Sequence, residues 1–302
     1  MYAVEVENIS KSFEKVEALK NISFNVKSGS LFGFIGPDGA GKTTLFRILV
    51  TLLKQNTGTA KIQGLNNITD YKKIRSIVGY MPGKFSLYQD LSVEENLRFF
   101  ATVFGTTVEN NYHLIKDIYS QIEPFKTRLA GKLSGGMKQK LALSCAMIHK
   151  PEVLFLDEPT TGVDAVSRKE FWEMLKVLKN SGITILVSTP YMDEAELCDE
   201  VALIQDGKIL KIETPQNIIG AYEKNLYAVK STNMFKLIAD LRSFEFSESV
   251  FPFGQFIHYT DKRDQINEND LINYLAQKDH KNIVLQKITP NIEDCFMSYL
   301  NK

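Results

Sequence analysis

Short apolar runs alternate with longer helical patterns through the first 220 positions, an order that predicts a sheet with helices on its faces. The runs Leu31 to Ile35, Ile77 to Met81, Val153 to Leu156, Ile183 to Val187 and Val201 to Ile204 read as strands. Between the second and third, Ser92 and Glu95 make a capping box ahead of apolar Leu97, Phe100 and Phe104, and helical patterning continues from Tyr112 to about Phe125. This middle segment, about 84–150, reads as a helical insertion in an α/β core. After Pro215 the order becomes a strand near Leu226 to Val229, a helix near Phe235 to Leu241 and aromatic-rich extended segments. A further helix, a strand at Ile283 to Leu285 and a last helix from about Asn291 follow. That succession predicts a small α+β unit, with domains at 1–220 and 221–302.

The length of 302 residues fits one large domain plus a smaller one, and 44% apolar with 24% charged residues excludes intrinsic disorder, collagen-like repetition and a disulfide-dense scaffold. Thirty-six Lys+Arg balance 36 Asp+Glu, so the basic excess of a protein that lives on nucleic-acid phosphates is missing and no nucleic-acid partner is expected. Cys145, Cys198 and Cys295 lie far apart without metal-ligand spacing, which suits packing residues in a reducing compartment. Charges are scattered through the N-terminus, so no signal peptide is expected. The apolar runs fall far short of the roughly 20 residues that span a bilayer, so the chain is not expected to cross a membrane alone.

Three motifs carry chemistry. Gly36-Pro37-Asp38-Gly39-Ala40-Gly41-Lys42-Thr43 follows the strand LFGFI and precedes a helical run, matching a phosphate-binding loop in its required context. Its glycines let successive N–H groups face an anion at a helix N-terminus, while Lys42 reaches the terminal phosphates and Thr43 offers a hydroxyl to Mg²⁺. The alternative is a Gly-rich turn before an ordinary helix. Val153 to Leu156 leads into Asp157 and Glu158; the first is placed to hold Mg²⁺, the second to orient or deprotonate water. A solvated loop entrance would also suit such a pair. Ser134-Gly135-Gly136 opens another helix and makes a second anion-ready turn, or simply an N-cap with flexible glycines. One nucleotide does not need two such cradles in one compact site, so the second is better suited to a nucleotide held by another copy or partner.

These motifs in this order resemble the ATP-binding subunit of an ATP-binding cassette (ABC) transporter. Gly36 to Thr44 resembles the Walker A motif, LSGGM with Ser134 the ABC signature, VLFLDEP the Walker B motif, and Thr161-Gly162-Val163-Asp164 the D-loop. The resemblance implies a P-loop NTPase cassette that binds ATP and Mg²⁺ through Gly36, Pro37, Asp38, Gly39, Ala40, Gly41, Lys42, Thr43 and Thr44. It further implies Thr43 and Asp157 on the metal, Glu158 as general base, and Ser134, Gly135, Gly136 and Asp164 at the nucleotide of an opposed cassette. Phe13 sits where the family stacks an aromatic ring on adenine; a core Phe near a strand is its other reading. Head-to-tail homodimers or heterodimers, integral membrane permease subunits and the cytoplasmic face of the membrane follow from the same resemblance. The stretch YMDEAELCDEVALIQDGKI and the extension containing Thr289-Pro290-Asn291-Ile292-Glu293-Asp294 resemble exporter ATPases of the drug and lipid type. In that extension a stabilising appendage and a dimerising or regulatory role are both open.

Two positions depart from the family. Where it usually has Gln after the strand IVGYM and Pro82, this chain has Gly83, a candidate for positive φ; where it presents His after ITILVS and Thr189, this chain has Pro190. His113, His149, His258 and His280 all fall elsewhere, His149 reading as an ordinary helix-end residue. A tolerant subfamily that still turns over and a site that binds ATP but hydrolyses it slowly are the two accounts, and the second is favoured because each lost transition-state contact costs roughly 10²–10³ in kcat. A soluble cassette acting on ribosomes or DNA, and a nucleotide-sensing scaffold without turnover, are the rival functions.

Overall fold

The computed structural model describes residues 1–83, 87–263 and 267–300. The chain divides into two compact units, Met1–Pro215 and Gln216–Lys302.

The first unit runs β1 (Tyr2–Phe13), β2 (Val16–Lys27), β3 (Leu31–Ile35), α1 (Lys42–Leu49), β4 (Thr57–Ile62), β5 (Leu65–Asn66), α2 (Tyr71–Ile77) and β6 (Val78–Met81). It continues through α3 (Val93–Val103), α4 (Val108–Tyr119), α5 (Gly135–Met147), β7 (Val153–Asp157), α6 (Ala165–Asn180), β8 (Thr184–Thr189), β9 (Glu200–Gln205) and β10 (Lys208–Glu213). A six-stranded sheet has the order β10-β9-β3-β8-β7-β6, parallel except at the β10 edge. Its central strands β3, β7 and β8 are buried on both faces, which is why they appear in the sequence as unbroken apolar runs.

A second sheet, β2-β1-β4-β5, is antiparallel and was not among the predicted strands. Val4, Val6 and Ile9 of β1 are buried while Glu5, Glu7 and Asn8 between them are not, so the strand is half-buried and its scattered charges leave no apolar run to mark it. The two sheets enclose α1, and the core between them is threaded by Phe24, Phe32, Phe34, Phe46 and Phe155, with successive ring centroids 5–6 Å apart. Ile77 ends α2 rather than starting a strand, and β8 runs two residues past Val187, which carries Ser188 and Thr189 into the sheet. Helices α3, α4 and α5 pack together between β6 and β7. The capping box is formed, with Glu95 N donating to Ser92 Oγ at 3.2 Å and Ser92 N to Glu95 Oε2 at 2.7 Å. The patterning read as a helix to about Phe125 ends at Tyr119, followed by a single 3₁₀ turn, Glu123–Phe125, because Pro124 removes a donor.

The second unit follows α7 (Pro215–Gly220) with β11 (Leu226–Lys230), α8 (Met234–Ser243), β12 (Ser247–Phe253), β13 (Phe256–Asp261), α9 (Glu268–Gln277), β14 (Val284–Ile288) and α10 (Ile292–Leu300). Its antiparallel order β12-β13-β11-β14 on a βαββαβ chain is the ferredoxin-like split arrangement. Tyr227, Val229, Leu237, Leu241, Ile257, Tyr259, Leu271 and Leu275 build the core under α8 and α9. Two buried polar ties lock it. His258 Nδ1 meets Asp294 Oδ1 at 2.6 Å, joining β13 to α10, and His280 bridges Ser231 Oγ and Asp240 Oδ2 at 3.0 Å each.

Among the described residues no helix is long and apolar enough to cross a membrane.

Candidate functional site

The loop from Gly36 to Gly41 leaves β3 at its C-terminal end and enters α1, the place where parallel sheets bind ligands. Gly41 N-caps α1 with φ 103° and no side-chain cap, and a Cβ there would fall 2.6 Å from the Ala18 carbonyl oxygen of β2. Only glycine fits that combination. The first turn of α1 carries no acidic residue of its own, so nothing within the helix offsets its positive dipole end. Gly39, Ala40, Gly41, Lys42, Thr43 and Thr44 line a cavity of about 140 Å³ with Ala18 and Glu158. The buried Lys42 ammonium donates to the Gly36 carbonyl at 2.7 Å and the Pro37 carbonyl at 2.9 Å, and lies 3.4 Å from Glu158 Oε1. Asp38 is exposed at the loop's tip.

Asp157 ends β7, is 2% exposed, and accepts hydrogen bonds from Thr43 Oγ1 at 3.1 Å and Ser188 Oγ at 2.6 Å on the same oxygen. Glu158 takes φ 50°, a left-handed conformation uncommon for such a residue, and its N–H is held by the Ser188 carbonyl at 3.0 Å and hydroxyl at 3.1 Å. That twist carries the Glu158 side chain out of the sheet and into the cavity. The phosphate loop, the Thr43 hydroxyl and both carboxylates are thus assembled by three neighbouring strands, β3, β8 and β7.

Ser134, Gly135 and Gly136 are not part of this cavity. Ser134 N-caps α5, accepting from Met137 N at 3.3 Å, and stays exposed. Asp164 caps α6 through Val166 N and Ser167 N at 3.1 and 3.0 Å, and hydrogen bonding from the Ser167 backbone, then from its side chain, with a smaller part from Val166, holds its carboxyl below the ordinary range. The two capped turns touch: a Cβ on Gly136 would fall 2.5 Å from Ser167 Oγ. Phe13 is 46% exposed at the β1–β2 hairpin, with Lys11 Nζ 5.1 Å from its ring centroid, and so is not a core residue. The hairpin also supplies Ala18 to the cavity.

Gly83 does not take positive φ. It is pressed on the end of β7 instead, where a Cβ would lie 2.9 Å from the Asp157 carbonyl oxygen. Pro190 follows Thr189 at the end of β8. His149, expected as a plain helix-end residue, stacks on Phe104 at 3.7 Å between centroids and reaches the Val78 carbonyl at 2.9 Å; burial holds its pKa below the ordinary value.

Sequence reasoning missed Glu194. It is 2% exposed, in a segment whose run of acidic residues reads as a solvated face. It accepts from Thr189 Oγ1 at 2.5 Å, Thr160 Oγ1 at 2.8 Å and Arg168 Nε at 3.2 Å. The signal available was its company: a threonine ending β8, a threonine in the turn after β7 and an arginine early in a helix.

A model of the ABC transporter family matches residues 19–161. The chain is 43% identical over 211 residues to the probable multidrug ABC transporter ATP-binding protein YbhF of Escherichia coli (strain K12), a match that covers 68% of this chain and spans 36% of YbhF's length. It is 36% identical over 219 residues to Nod factor export ATP-binding protein I of Burkholderia lata, covering 72% of each. The solved structure of cbiO1 from Clostridium perfringens, part of the ABC transporter complex cbiONQ, is similar with a TM-score of 0.64 and 26% identity, covering 73% of this chain and 91% of that one.

Proposed function

The chain belongs to the ABC transporter family, and on that premise we propose that it is an ATP-binding and ATP-hydrolysing subunit that powers an exporter, closing on a second cassette around nucleotide. The observation that carries this is the cavity in which Lys42 lies 3.4 Å from Glu158, with Thr43 of its lining hydrogen-bonded to the buried Asp157 behind it at 3.1 Å. In this reading the α1 amides and Lys42 hold the phosphates, and Lys42 exchanges its loop carbonyls for phosphate oxygens. Glu158, aimed by its left-handed backbone, takes the proton of the attacking water.

The Thr43 hydroxyl and the buried Asp157 carboxylate fit Mg²⁺, a hard cation that takes one or two protein oxygens and fills its shell with water and phosphate. When bound it would neutralise charge developing between the phosphates.

Ser134, Gly135 and Gly136, remote from the chain's own cavity, serve the nucleotide of an opposed cassette. The names of the relatives above, multidrug for one and Nod factor export for the other, favour an export role; the motif resemblance adds a drug-like or lipid-like cargo and permease subunits at the cytoplasmic face of a membrane. A groove of about 900 Å³, lined by Leu52, Val103, Phe104 and Tyr88 with Arg47, Lys72 and Arg75, lies between the helical insertion and the β6 edge and suits a permease segment. Gly83 and Pro190 favour slow turnover at the chain's own Walker side, and hence a heterodimer in which its signature serves a faster partner site. ATPase assays of the full chain with and without its partner cassette test the reading: nucleotide bound but no turnover in either would leave only the sensing scaffold.

A further inference from the structure

We infer that Glu194 is a positioning residue that couples the chain's own phosphate site to the Ser134–Gly136 turn it presents to a second cassette; the inference rests on the nucleotide reading above. The coupling runs through hydrogen bonds as far as the 160–168 segment and through close packing from there to Gly135 and Gly136. Ser188 holds the Asp157 carboxylate at 2.6 Å and the Glu158 N–H through both its carbonyl and its hydroxyl. Its neighbour Thr189 ends β8, and Pro190 beyond it has no N–H to anchor the turn. The Thr189 hydroxyl does so instead, accepting from Tyr191 N at 3.1 Å and donating to Glu194 Oε2.

The other carboxylate oxygen of Glu194 faces a different part of the chain. Oε1 accepts from Thr160 Oγ1 at 2.8 Å and pairs with Arg168 Nε at 3.2 Å. Thr160 begins the turn that reaches Asp164, with Val163 N donating to its carbonyl at 3.2 Å, and Arg168 lies in the first turn of α6 with its guanidinium over the Tyr191 ring at 4.3 Å. Against that turn sit the two glycines, a Cβ on Gly135 falling 3.4 Å from the Gly162 carbonyl oxygen and one on Gly136 only 2.5 Å from Ser167 Oγ. One buried carboxylate therefore clamps the end of β8 with one oxygen and the 160–168 segment with the other. A shift of Ser188 and Thr189 when Asp157 and Glu158 engage nucleotide cannot be absorbed at Glu194, because a buried carboxylate that loses a donor leaves unpaired charge. It is passed to the start of α6 and so to Gly135 and Gly136.

Hydrogen–deuterium exchange on the full chain, at concentrations where light scattering gives a monomer, tests this with MgATP as the probe. In the parent, MgATP should slow exchange at 36–44 and also change it at 134–138 and 161–167. Thr189→Val and Thr160→Val, each cutting one side of the clamp at near-constant volume, and Glu194→Gln should keep the response at 36–44. They should shrink the response at 134–138 at least about fivefold, the lower range of site-to-site couplings. Thr189→Ser should restore it. A merely structural role would instead raise exchange equally with and without nucleotide. The inference is overturned if 36–44 responds but 134–138 does not in the parent, or if the variants keep the full response at 134–138. No response at 36–44 in the parent would overturn the nucleotide reading itself, and this inference with it.

Discussion

Lys42 Nζ and Glu158 Oε1 stand 3.4 Å apart across one cavity, the cation of the phosphate loop against the carboxylate that leaves β7. The pair joins the two ends of the proposed reaction, since a phosphate entering the loop competes with Glu158 for the ammonium and frees the carboxylate for water. Glu158→Gln removes the competitor and the base together. ATP affinity should be unchanged or tighter while kcat falls by about 10²-fold or more, the usual worth of a positioned base. Calorimetry and steady-state ATPase assays on the same preparation check both halves.

The two departures from the family behave differently in the structure. A Gln at position 83 must fit a Cβ 2.9 Å from the Asp157 carbonyl oxygen, so Gly83→Gln should destabilise the chain by about 1–3 kcal/mol through overcrowding. Its effect on rate will be entangled with displacement of β7. Pro190→His restores a backbone N–H and an imidazole at the end of β8 without that clash and should raise kcat with little change in ATP affinity, since contacts made in the transition state act on rate. Thermal melts with ATPase assays separate the two. A parent turning over at about 1 s⁻¹ or faster, with no gain from Pro190→His, would show that other groups position the water.

The exposed Ser134 hydroxyl caps α5 away from the chain's own cavity, so Ser134→Arg should leave MgATP binding to the isolated chain intact. In a reconstituted pair with a second cassette it should abolish most turnover, whereas Glu158→Gln here should do less if the partner's site is the faster one. The opposite ranking argues against the division of labour.

His149 supplies a pH dependence. Its burial against Phe104 holds the pKa below the ordinary 6.5, so the unfolded chain binds the extra proton first as pH falls. Its contribution is present in full above the unfolded value and is lost progressively on acidification, until the folded pKa is passed. Melting temperatures at pH 7.5 and 5.5 should differ less in His149→Phe than in the parent.

Legibility in the sequence followed burial. Strands β3, β6, β7, β8 and β9, hidden on both faces or nearly so, stand out as apolar runs, and the phosphate loop is marked by glycines between a strand and a helix. Strands β1, β2 and β4 escape because their outer faces carry residues such as Glu, Lys and Asn that break the apolar run, and β4 joins them only by pairing with β1 from far along the chain, as Val4 does with Ile62. Glu194 escapes for the reverse reason: acidic residues around it suggest solvent, and only the fold brings Thr160, Thr189 and Arg168 onto one carboxylate. Gly83 reads as a missing amide, and its packing on Asp157 became visible only with β6 and β7 side by side.

Calorimetric titration of MgATP into the parent and Lys42→Ala tests the central claim most directly, because every step above depends on phosphates entering this loop. The ammonium supplies charge-assisted contacts of about 1.5–3 kcal/mol each, so the variant should bind at least roughly tenfold more weakly. Equal affinity in the two proteins would contradict the account.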